Sequence, residues 1–244
     1  MPADPADPPR VAAVVPALNE AENIAVLGRE IATALAPLGG YEIIVVDDGS
    51  SDGTSAAALA LRAEGVPMRV LRHDRRSGQS AAIVTGVRAA TAPWILTLDG
   101  DGQNDPADAP ALLARAWEED LDLVGGLRLK RQDTWSRRVA TRFANGLRQA
   151  LLKDGCVDTG CGLKVVRREV FLRLPYFSGL HRFLPALVLS YGGRVAFVPV
   201  GHRPRQHGQT KYTNWRRALV GIADLRGVMW LRRRTILPTK VTEE

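Results

Sequence analysis

Three aspartates follow an apolar run within the stretch ILTLDGDGQNDP at residues 95–106. Asp99, Asp101 and Asp105 repel one another, so their crowding at the mouth of a buried strand requires a counter-charge. Two carboxylates one residue apart can share a Mg2+ or Mn2+ ion and leave coordination positions open for phosphate oxygens. The stretch therefore predicts a divalent-cation site, with Asp99 and Asp101 as ligands. A helix cap is the alternative interpretation for Asp105, and equally for Asp52.

The elements that position these carboxylates alternate between strand and helix. Strands are predicted at 11–17, 41–48, 68–72, 94–99 and 121–128, with helices at 20–35, 54–65, 80–90 and 106–119. This alternation predicts an α/β fold with a Rossmann-like, mostly parallel sheet flanked by helices. In such sheets a ligand binds beyond the carboxyl ends of the strands. The polar residues expected at that rim are Asn19, Glu20, Asp47, Asp48, Asp99 and Asp101.

Other well-known sites do not fit this pattern. An EF-hand loop needs a glutamate at its twelfth position, which is Leu59 when counted from Asp48 and Pro110 when counted from Asp99. Neither a P-loop nor a G-x-G-x-x-G turn after the first strand is found. Cys156 and Cys161 are too few for a disulfide framework, and they are expected to be reduced thiols.

Charge is divided unevenly along the chain. Residues 1–127 carry 9 Lys and Arg against 19 Asp and Glu, whereas residues 128–244 carry 24 against 7. An acidic half suited to cations is thus joined to a basic half suited to anions, such as phosphorylated substrates or anionic lipid. The basic run at 128–142 contains a single aromatic residue and no RNA-binding signature, so nucleic acid is not expected as a partner.

Four motifs, in this order, resemble those of family 2 glycosyltransferases with the GT-A fold: VVPALNEAENI, IIVVDDGSSDGT, LDGDGQNDP and DTGCGLKVVRREV. The later segments HRFLPAL and HRPRQHGQTKY narrow the resemblance to polyprenol-phosphate glycosyltransferases, the group that includes dolichol-phosphate mannose synthases. The resemblance covers residues 11–234. It implies a metal-dependent hexosyltransferase that moves a sugar from a UDP- or GDP-sugar to a polyprenyl phosphate.

The resemblance also implies the donor site. Arg205 and Lys211 would close over the diphosphate, Gln103 would be a further metal ligand, and His181 or Arg182 would touch the donor. The residues expected to bind the nucleotide-sugar are Pro16, Asn19, Glu20, Val46, Asp48, Asp99, Gly100, Asp101, Arg182, Arg205 and Lys211. His73 stands where asparagine is common in the family, which leaves the role of that turn open.

The implied acceptor site lies in the basic half, and its cationic residues are Arg128, Arg137, Arg138 and Arg142. Asp158 is either a catalytic base or a structural residue, and it completes a catalytic set with Asp99, Asp101 and Arg205. A phosphate monoester has a second pKa of about 6 and is mostly dianionic at pH 7, so it can attack without a base. Attack opposite the leaving group would invert the anomeric centre.

The expected domain organisation is a disordered leader at 1–10, a GT-A domain at 11–212, a basic amphipathic helix at 213–234 and a tail at 235–244. The leader lacks the basic start and apolar stretch of a signal peptide, and no apolar run is long enough for a transmembrane helix. The apolar stripe of the helix contains Trp215, Ala218, Leu219, Ile222, Leu225 and Met229.

That helix has two interpretations, an ordinary helix packed on the sheet or a helix lying on an anionic membrane surface. The second predicts a cytoplasmic enzyme held peripherally on the membrane; the oligomeric state stays open. An alternative function is a glycosyltransferase with a polysaccharide, protein or lipid A-type acceptor, which would need Asp158 as an essential base. A non-catalytic carbohydrate-binding protein is disfavoured by the metal set Asp99, Asp101 and Gln103.

Overall fold

The sheet at the centre of the molecule has seven strands. The structure, a computed structural model, describes residues 8–128, 146, 148–204 and 214–236. The strands are β1 (Val11–Ala17), β2 (Tyr41–Asp47), β3 (Met68–Arg72), β4 (Trp94–Thr97), β5 (Leu123–Arg128), β6 (Lys164–Arg167) and β7 (Val195–Val200). Their order is β3-β2-β1-β4-β6-β5-β7, and only β6 runs antiparallel to its neighbours in this described sheet. The predicted α/β fold with a mostly parallel sheet is confirmed.

Helices cover both faces of this sheet. They are α1 (Ala21–Leu35), α2 (Thr54–Ala63), α3 (Gln79–Ala89), α4 (Ala109–Glu118), α5 (148–152), α6 (Arg168–Arg173), α7 (Leu184–Ser190) and α8 (Asn214–Arg234). Alternate residues of β1 point to opposite faces, as the strand period requires. One core packs α1, α2 and α4 on the sheet, and the other packs α3, α6, α7 and α8.

Seven of the nine predicted strands and helices differ from the structure by one to three residues at their ends, and two of these differences concern the segment around Asp99 and Asp105. The fourth strand ends at Thr97 and not at 99, so Asp99 lies just beyond the ladder. The predicted helix at 106–119 begins with a 3-10 turn, Pro106–Asp108, before α4. Asp105 accepts a hydrogen bond from the Ala107 N–H at 3.0 Å, and Asp52 accepts one from the Thr54 N–H at 3.0 Å. The cap interpretation is therefore confirmed for Asp105, which caps the 3-10 turn. It is wrong for Asp52, because the N-cap residue of α2 is Gly53 and Asp52 lies one residue before it.

Helix α8 is attached to the body through one of its faces. The apolar side chains of α8 that pack against the second core include Leu225, Val228 and Met229. Arg232 strengthens this attachment, since its Nε donates to Ser190 Oγ at 2.8 Å and its guanidinium also donates to the Leu152 carbonyl. The packed-helix interpretation is thus confirmed for this face.

The opposite face of α8 is open to solvent. Ile222 is 52% exposed and Trp230 is 61% exposed, and the Arg234 guanidinium lies 6.0 Å from the Trp230 ring centroid. The predicted stripe is therefore divided, because Leu225 and Met229 face the core while Ile222 faces outward. The side chains of Trp215, Ala218 and Leu219 lie outside the description. Within the described part of the chain, no helix is both long and apolar enough to cross a membrane.

Helix α3 lies so close to the sheet that a methyl group does not fit between them. A Cβ at Gly86 would overlap Val14 Cγ1 and would lie 3.2 Å from Val46 Cγ2. We expect Gly86→Ala to lower the free energy of unfolding by about 1–3 kcal/mol, as overpacking does. Gly227→Ala in α8 is the matched control, because a Cβ there meets nothing within 4 Å. It should raise stability by roughly 0.5–1 kcal/mol. Urea denaturation measures both, and equal stability of the two variants would contradict this packing.

Candidate active site

The loops after β1 and β2 are locked to each other at the carboxyl edge of the sheet. Asn19 has a φ of 54°, a left-handed conformation that asparagine tolerates. Its side-chain oxygen accepts from the Ser51 N–H at 2.8 Å, and its own N–H donates to Ser50 Oγ at 2.9 Å. The Glu20 N–H donates to Thr54 Oγ1 at 2.9 Å. These bonds place Asn19 and Glu20 on one rim, as predicted from the sequence.

The two adjacent aspartates at the end of β2 form hydrogen bonds within the protein. Asp47 accepts from the Ser50 N–H at 2.7 Å and from the Ser55 hydroxyl. Asp48, which is 4% exposed, accepts from the N–H groups of Ser77 and Gly78 at 2.8 and 2.7 Å. Asp48 therefore holds the loop that precedes α3. Any contact of Asp48 with a base or ribose has to be made alongside these bonds.

His73, which stands where asparagine is expected from the resemblance, is part of the same arrangement. Its Nδ1 lies 2.8 Å from Asp48 Oδ1, and its Nε2 lies 3.0 Å from Thr85 Oγ1. The ring thus links β2 to α3. The neighbouring Val46 side chain is fully buried in the core, so a contact with a nucleotide would have to come from its backbone.

The end of β4 is brought against β1 by close backbone approach. A Cβ at Gly100 would lie 2.9 Å from the Pro16 carbonyl oxygen, so the chain after Asp99 passes directly beside β1. A Cβ at Gly162 would lie 2.5 Å from the Asp99 carboxyl carbon. Glycine at both positions lets the Asp99 side chain sit between the two segments. Gln79 donates to Asp99 Oδ1 at 2.6 Å from the start of α3.

The environment of Asp99 fits a divalent cation. Burial and then the charge of Asp101 raise the pKa of Asp99 to about 6, against the opposing charges of Lys164 and Arg128. A nearby cation stabilises the ionised form of a carboxylate that burial and a second carboxylate destabilise. Oxygen ligands from two aspartates suit Mg2+ or Mn2+. No group of three His, Cys, Asp or Glu side chains forms a cation site among the described residues. The remaining ligands would then be amide, phosphate or water oxygens.

Gln103 lies at the same edge, but its side-chain nitrogen faces another loop. Its backbone N–H donates to Asp101 Oδ1 at 3.2 Å, and its Nε2 lies 3.5 Å from the Arg203 carbonyl. The Arg203 N–H returns a bond to the Gln103 carbonyl at 3.0 Å, and the Arg203 guanidinium pairs with Glu30 and Asp105 at 2.8 Å each. Metal coordination by Gln103 stays a prediction, whereas its loop is firmly tied to Arg203.

Asp99 lines a cavity of about 160 Å³. The polar side chains among its lining residues include Gln79, Thr97, Asp99, Thr159, Lys164, His181 and Arg182. Lys164 was not identified from the sequence, although a lysine between apolar residues in GLKVVR is a recognisable signal. It is 4% exposed, and its ammonium group donates to the Cys161 carbonyl. The cavity thus combines one carboxylate of the predicted metal site with two cationic groups.

Two residues with separately predicted roles pair with each other. Arg128, predicted to face the acceptor phosphate, donates to both carboxylate oxygens of Asp158 at 2.6 and 2.7 Å. Both side chains are largely buried. A bidentate pair of this kind favours the structural interpretation of Asp158, since a base would have to leave its guanidinium partner. The other residues predicted for the acceptor phosphate, Arg137, Arg138 and Arg142, lie outside the described residues, as do Arg205 and Lys211, which were predicted to close over the diphosphate.

Comparison with known proteins identifies a matching family and solved structures of similar fold. The family model described as glycosyl transferase family 2 matches residues 12–174. The crystal structure of glucosyl-3-phosphoglycerate synthase from Mycobacterium tuberculosis in complex with UDP is 23% identical and has a TM-score of 0.71, covering 92% of this chain and 80% of that chain. Mannosyl-3-phosphoglycerate synthase from Rubrobacter xylanophilus is 20% identical with a TM-score of 0.72, covering 95% and 78%.

A further structure of the mycobacterial enzyme contains Mn2+, UDP-glucose and phosphoglyceric acid. It is 22% identical to this chain with a TM-score of 0.68, and the match covers 92% of this chain and 79% of that chain. At these identities, the likeness to all three solved structures establishes a shared fold alone.

The raised pKa of Asp99 should have a measurable effect on the free energy of unfolding. The folded protein favours the protonated carboxyl, so ionisation costs stability as the pH rises from the ordinary pKa of 3.8 to about 6, and the full cost applies above that. Without divalent cations, Asp99→Asn should therefore be more stable than the wild type at pH 7.5, with the difference vanishing near pH 4. Added Mn2+ should stabilise the wild type and leave the variant unchanged.

Urea denaturation with and without EDTA measures these differences. Asp74→Asn removes the same charge from an exposed position and serves as the matched control, with no expected change at either pH. A wild type that is more stable than Asp99→Asn at pH 7.5 in EDTA would contradict the interpretation of Asp99 as an uncompensated carboxylate.

Proposed function

The chain belongs to glycosyl transferase family 2, and from that membership we propose that it transfers a sugar from a UDP- or GDP-sugar to a polyprenyl phosphate. One observation carries the proposal: Asp99 of the predicted metal site and the cationic groups of Lys164 and Arg182 line the same cavity. A carboxylate pair suits a metal-bound diphosphate, and neighbouring cations suit a second phosphate. This pairing of charges is expected of an enzyme whose donor and acceptor both carry phosphate.

The donor lies, in this proposal, along the rim formed by β1, β2 and β4. Asn19 and Glu20 border the nucleotide, and the loop held by Asp48 forms the neighbouring wall. Asp99 and Asp101, with Gln103, hold Mg2+ or Mn2+, which when bound neutralises charge on the leaving diphosphate. Arg205 and Lys211 add fixed positive charge from the segment that follows Arg203.

The acceptor phosphate attacks the anomeric carbon from the side opposite the diphosphate, so the configuration inverts. A dianionic phosphate oxygen is already a nucleophile, and no proton has to be removed from it. The bidentate pair between Arg128 and Asp158 supports this route, because it keeps the nearest candidate base engaged. An acceptor hydroxyl would instead require a base, as in transfer to a polysaccharide or protein.

A phosphorylated small acid is a second candidate acceptor. The similar fold of the mycobacterial enzyme that was crystallised with phosphoglyceric acid favours it. Its phosphate could occupy the same cationic cavity, but sugar transfer to its hydroxyl would give a glycoside and not a glycosyl phosphate. The two candidates therefore differ in the bond that they form.

The outer face of α8 supports a membrane-bound acceptor. Ile222 and Trp230 project from the body between exposed Arg226, Arg233 and Arg234, which is a pattern suited to the headgroup region of an anionic membrane. Basic residues near such a surface contribute roughly 1 kcal/mol each. In this proposal the protein binds peripherally at the cytoplasmic face, where a polyprenyl phosphate presents its headgroup.

Transfer assays distinguish the acceptors. Purified protein with Mn2+ and a panel of UDP- and GDP-sugars should glycosylate a short polyprenyl phosphate, giving an acid-labile glycosyl phosphate whose inverted anomeric configuration is read by NMR. Asp101→Asn should lower turnover by roughly 100-fold or more, since a lost metal ligand removes several kcal/mol of charge stabilisation. Asp74→Asn is the control. Transfer to 3-phosphoglycerate with none to the polyprenyl phosphate would refute the proposed acceptor.

Vesicle binding tests the membrane surface. The protein should sediment with vesicles of phosphatidylglycerol and phosphatidylcholine at low salt, less so at high salt, and little with phosphatidylcholine alone. Arg226→Glu with Arg233→Glu should reduce binding, while Arg232 is left intact because it ties α8 to the body. Arg62→Glu with Arg88→Glu makes the same change in charge on exposed arginines of α2 and α3. Equal loss in both double variants would assign the binding to net charge and not to α8.

A further inference from the structure

Lys164 is a buried cation whose position is fixed by the sheet. It is the first residue of β6, paired with Thr97 of β4 and Gly125 of β5. Its ammonium group donates to the Cys161 carbonyl, which satisfies one of its three N–H bonds. Burying a cation at this depth is costly unless an anion is nearby. The charge of Asp99 is one such anion, and the adjoining cavity offers space for another.

His181 lines the same cavity, and its Nδ1 is in hydrogen-bond contact with Ser80. The Ser80 hydroxyl oxygen accepts from the Gly179 N–H at 3.1 Å and lies 2.7 Å from His181 Nδ1. We assign to this contact a Ser80 hydroxyl that donates to Nδ1, which puts the proton of a neutral ring on Nε2. In the other tautomer Nδ1–H would donate to the Ser80 oxygen, and isotope labelling distinguishes the two.

The surroundings of His181 keep its ring neutral. Burial, followed by the charges of Arg182 and Lys164, lowers the pKa of His181 to about 3. A neutral ring with its proton on Nε2 can donate one directed hydrogen bond, but it contributes no net charge. Lys164 and Arg182 supply the charge beside it. A directed N–H beside cationic side chains suits phosphate oxygens, which accept short hydrogen bonds from charged donors.

We propose that the cavity beside Asp99 is a phosphate-oxygen site in which Lys164 supplies charge, His181 Nε2–H supplies a directed hydrogen bond, and Ser80 positions His181. This assignment rests on the proposed function and adds to it residues other than the arginines implied for the acceptor phosphate. The bound phosphate belongs either to the diphosphate of the donor or to the monoester of the acceptor. Both present the same anionic oxygens, and experiment can separate them.

Calorimetry with three ligands tests Lys164. UDP represents the donor diphosphate, geranyl phosphate represents the acceptor monoester, and uridine carries no phosphate. Lys164→Met should weaken binding of at least one phosphate ligand by about tenfold or more, with uridine unchanged, and Lys164→Arg should restore part of the loss. Lys153→Met, an exposed lysine after α5, is the matched control.

The pattern of losses identifies the phosphate. A loss confined to UDP assigns the cavity to the donor, a loss confined to geranyl phosphate assigns it to the acceptor, and a loss of both means that the two phosphates share it. Unchanged affinity for both ligands, or an equal loss for uridine, would overturn the site. The proposed function is judged separately, because a wild type that binds UDP through Lys164 but glycosylates no polyprenyl phosphate refutes the acceptor and leaves the site standing.

The positioning role of Ser80 has its own readout. In 15N-histidine-labelled protein, the His181 signals should show an unprotonated Nδ1 and a protonated Nε2, and Ser80→Ala should redistribute the tautomers. His181→Gln, whose amide can reach the Nε2 position, should retain more phosphate affinity than His181→Asn or His181→Phe. Ser190→Ala removes a comparable serine outside the cavity and should change neither. A protonated Nδ1 in the wild type, or equal affinity in the Gln and Asn variants, would refute the donor role of His181.

Discussion

The repulsion between Asp99 and Asp101 at the end of β4 is the constraint on which the surrounding structure depends. Two carboxylates at a partly buried edge are tolerable only with positive charge close by. Burial, followed by the charge of Asp101, raises the pKa of Asp99 even though Lys164 and Arg128 oppose that shift. The antiparallel strand β6, inserted between β4 and β5, brings Lys164 and Gly162 to this point. The insertion therefore provides both a cation and the space that the Asp99 side chain occupies.

The two acidic pairs at the carboxyl ends of β2 and β4 have different surroundings. Asp47 and Asp48 accept hydrogen bonds from N–H and hydroxyl groups of their own and neighbouring loops, so their charges stabilise the rim. Asp99 accepts a bond from Gln79 and still lines an open cavity. The difference arises from the loop before α3, which contacts Asp48 through the N–H groups of Ser77 and Gly78 and through the His73 ring. Asp47 and Asp48 thus stabilise the loops around the site, whereas Asp99 and Asp101 are the predicted metal ligands within it.

The basic half of the chain also divides its charges between structure and surface. Arg128 is committed to Asp158, and Arg232 is committed to Ser190 and the end of α5. These guanidinium groups are partly buried. Removing the partner of a partly buried charge costs more free energy than removing the partner of an exposed one. The exposed arginines of α8 form a separate set beside Trp230. Net charge alone therefore overstates how much of this half is available to an anionic partner.

The sequence by itself determined the α/β class, the first five strands and the polar residues at their carboxyl ends. Strand and helix periods are local properties, and parallel strands necessarily place those ends on one edge. Aspartate caps such as Asp105 were also readable, because a cap acts within three residues. The motif Asp99–Asp101 could be located for the same reason.

Only the tertiary structure decided which other residues lie next to these strand-end residues. The short strand β6 has just four residues, and its pairing between β4 and β5 joins segments that are far apart in the chain. That pairing buries Lys164, while the contact between α3 and the segment before α7 sets the Ser80–His181 bond. Such contacts depend on which surfaces pack together, and the local periodicity of the sequence does not predict that. The division of α8 into an inner and an outer face was settled in the same way, by the body on which it packs.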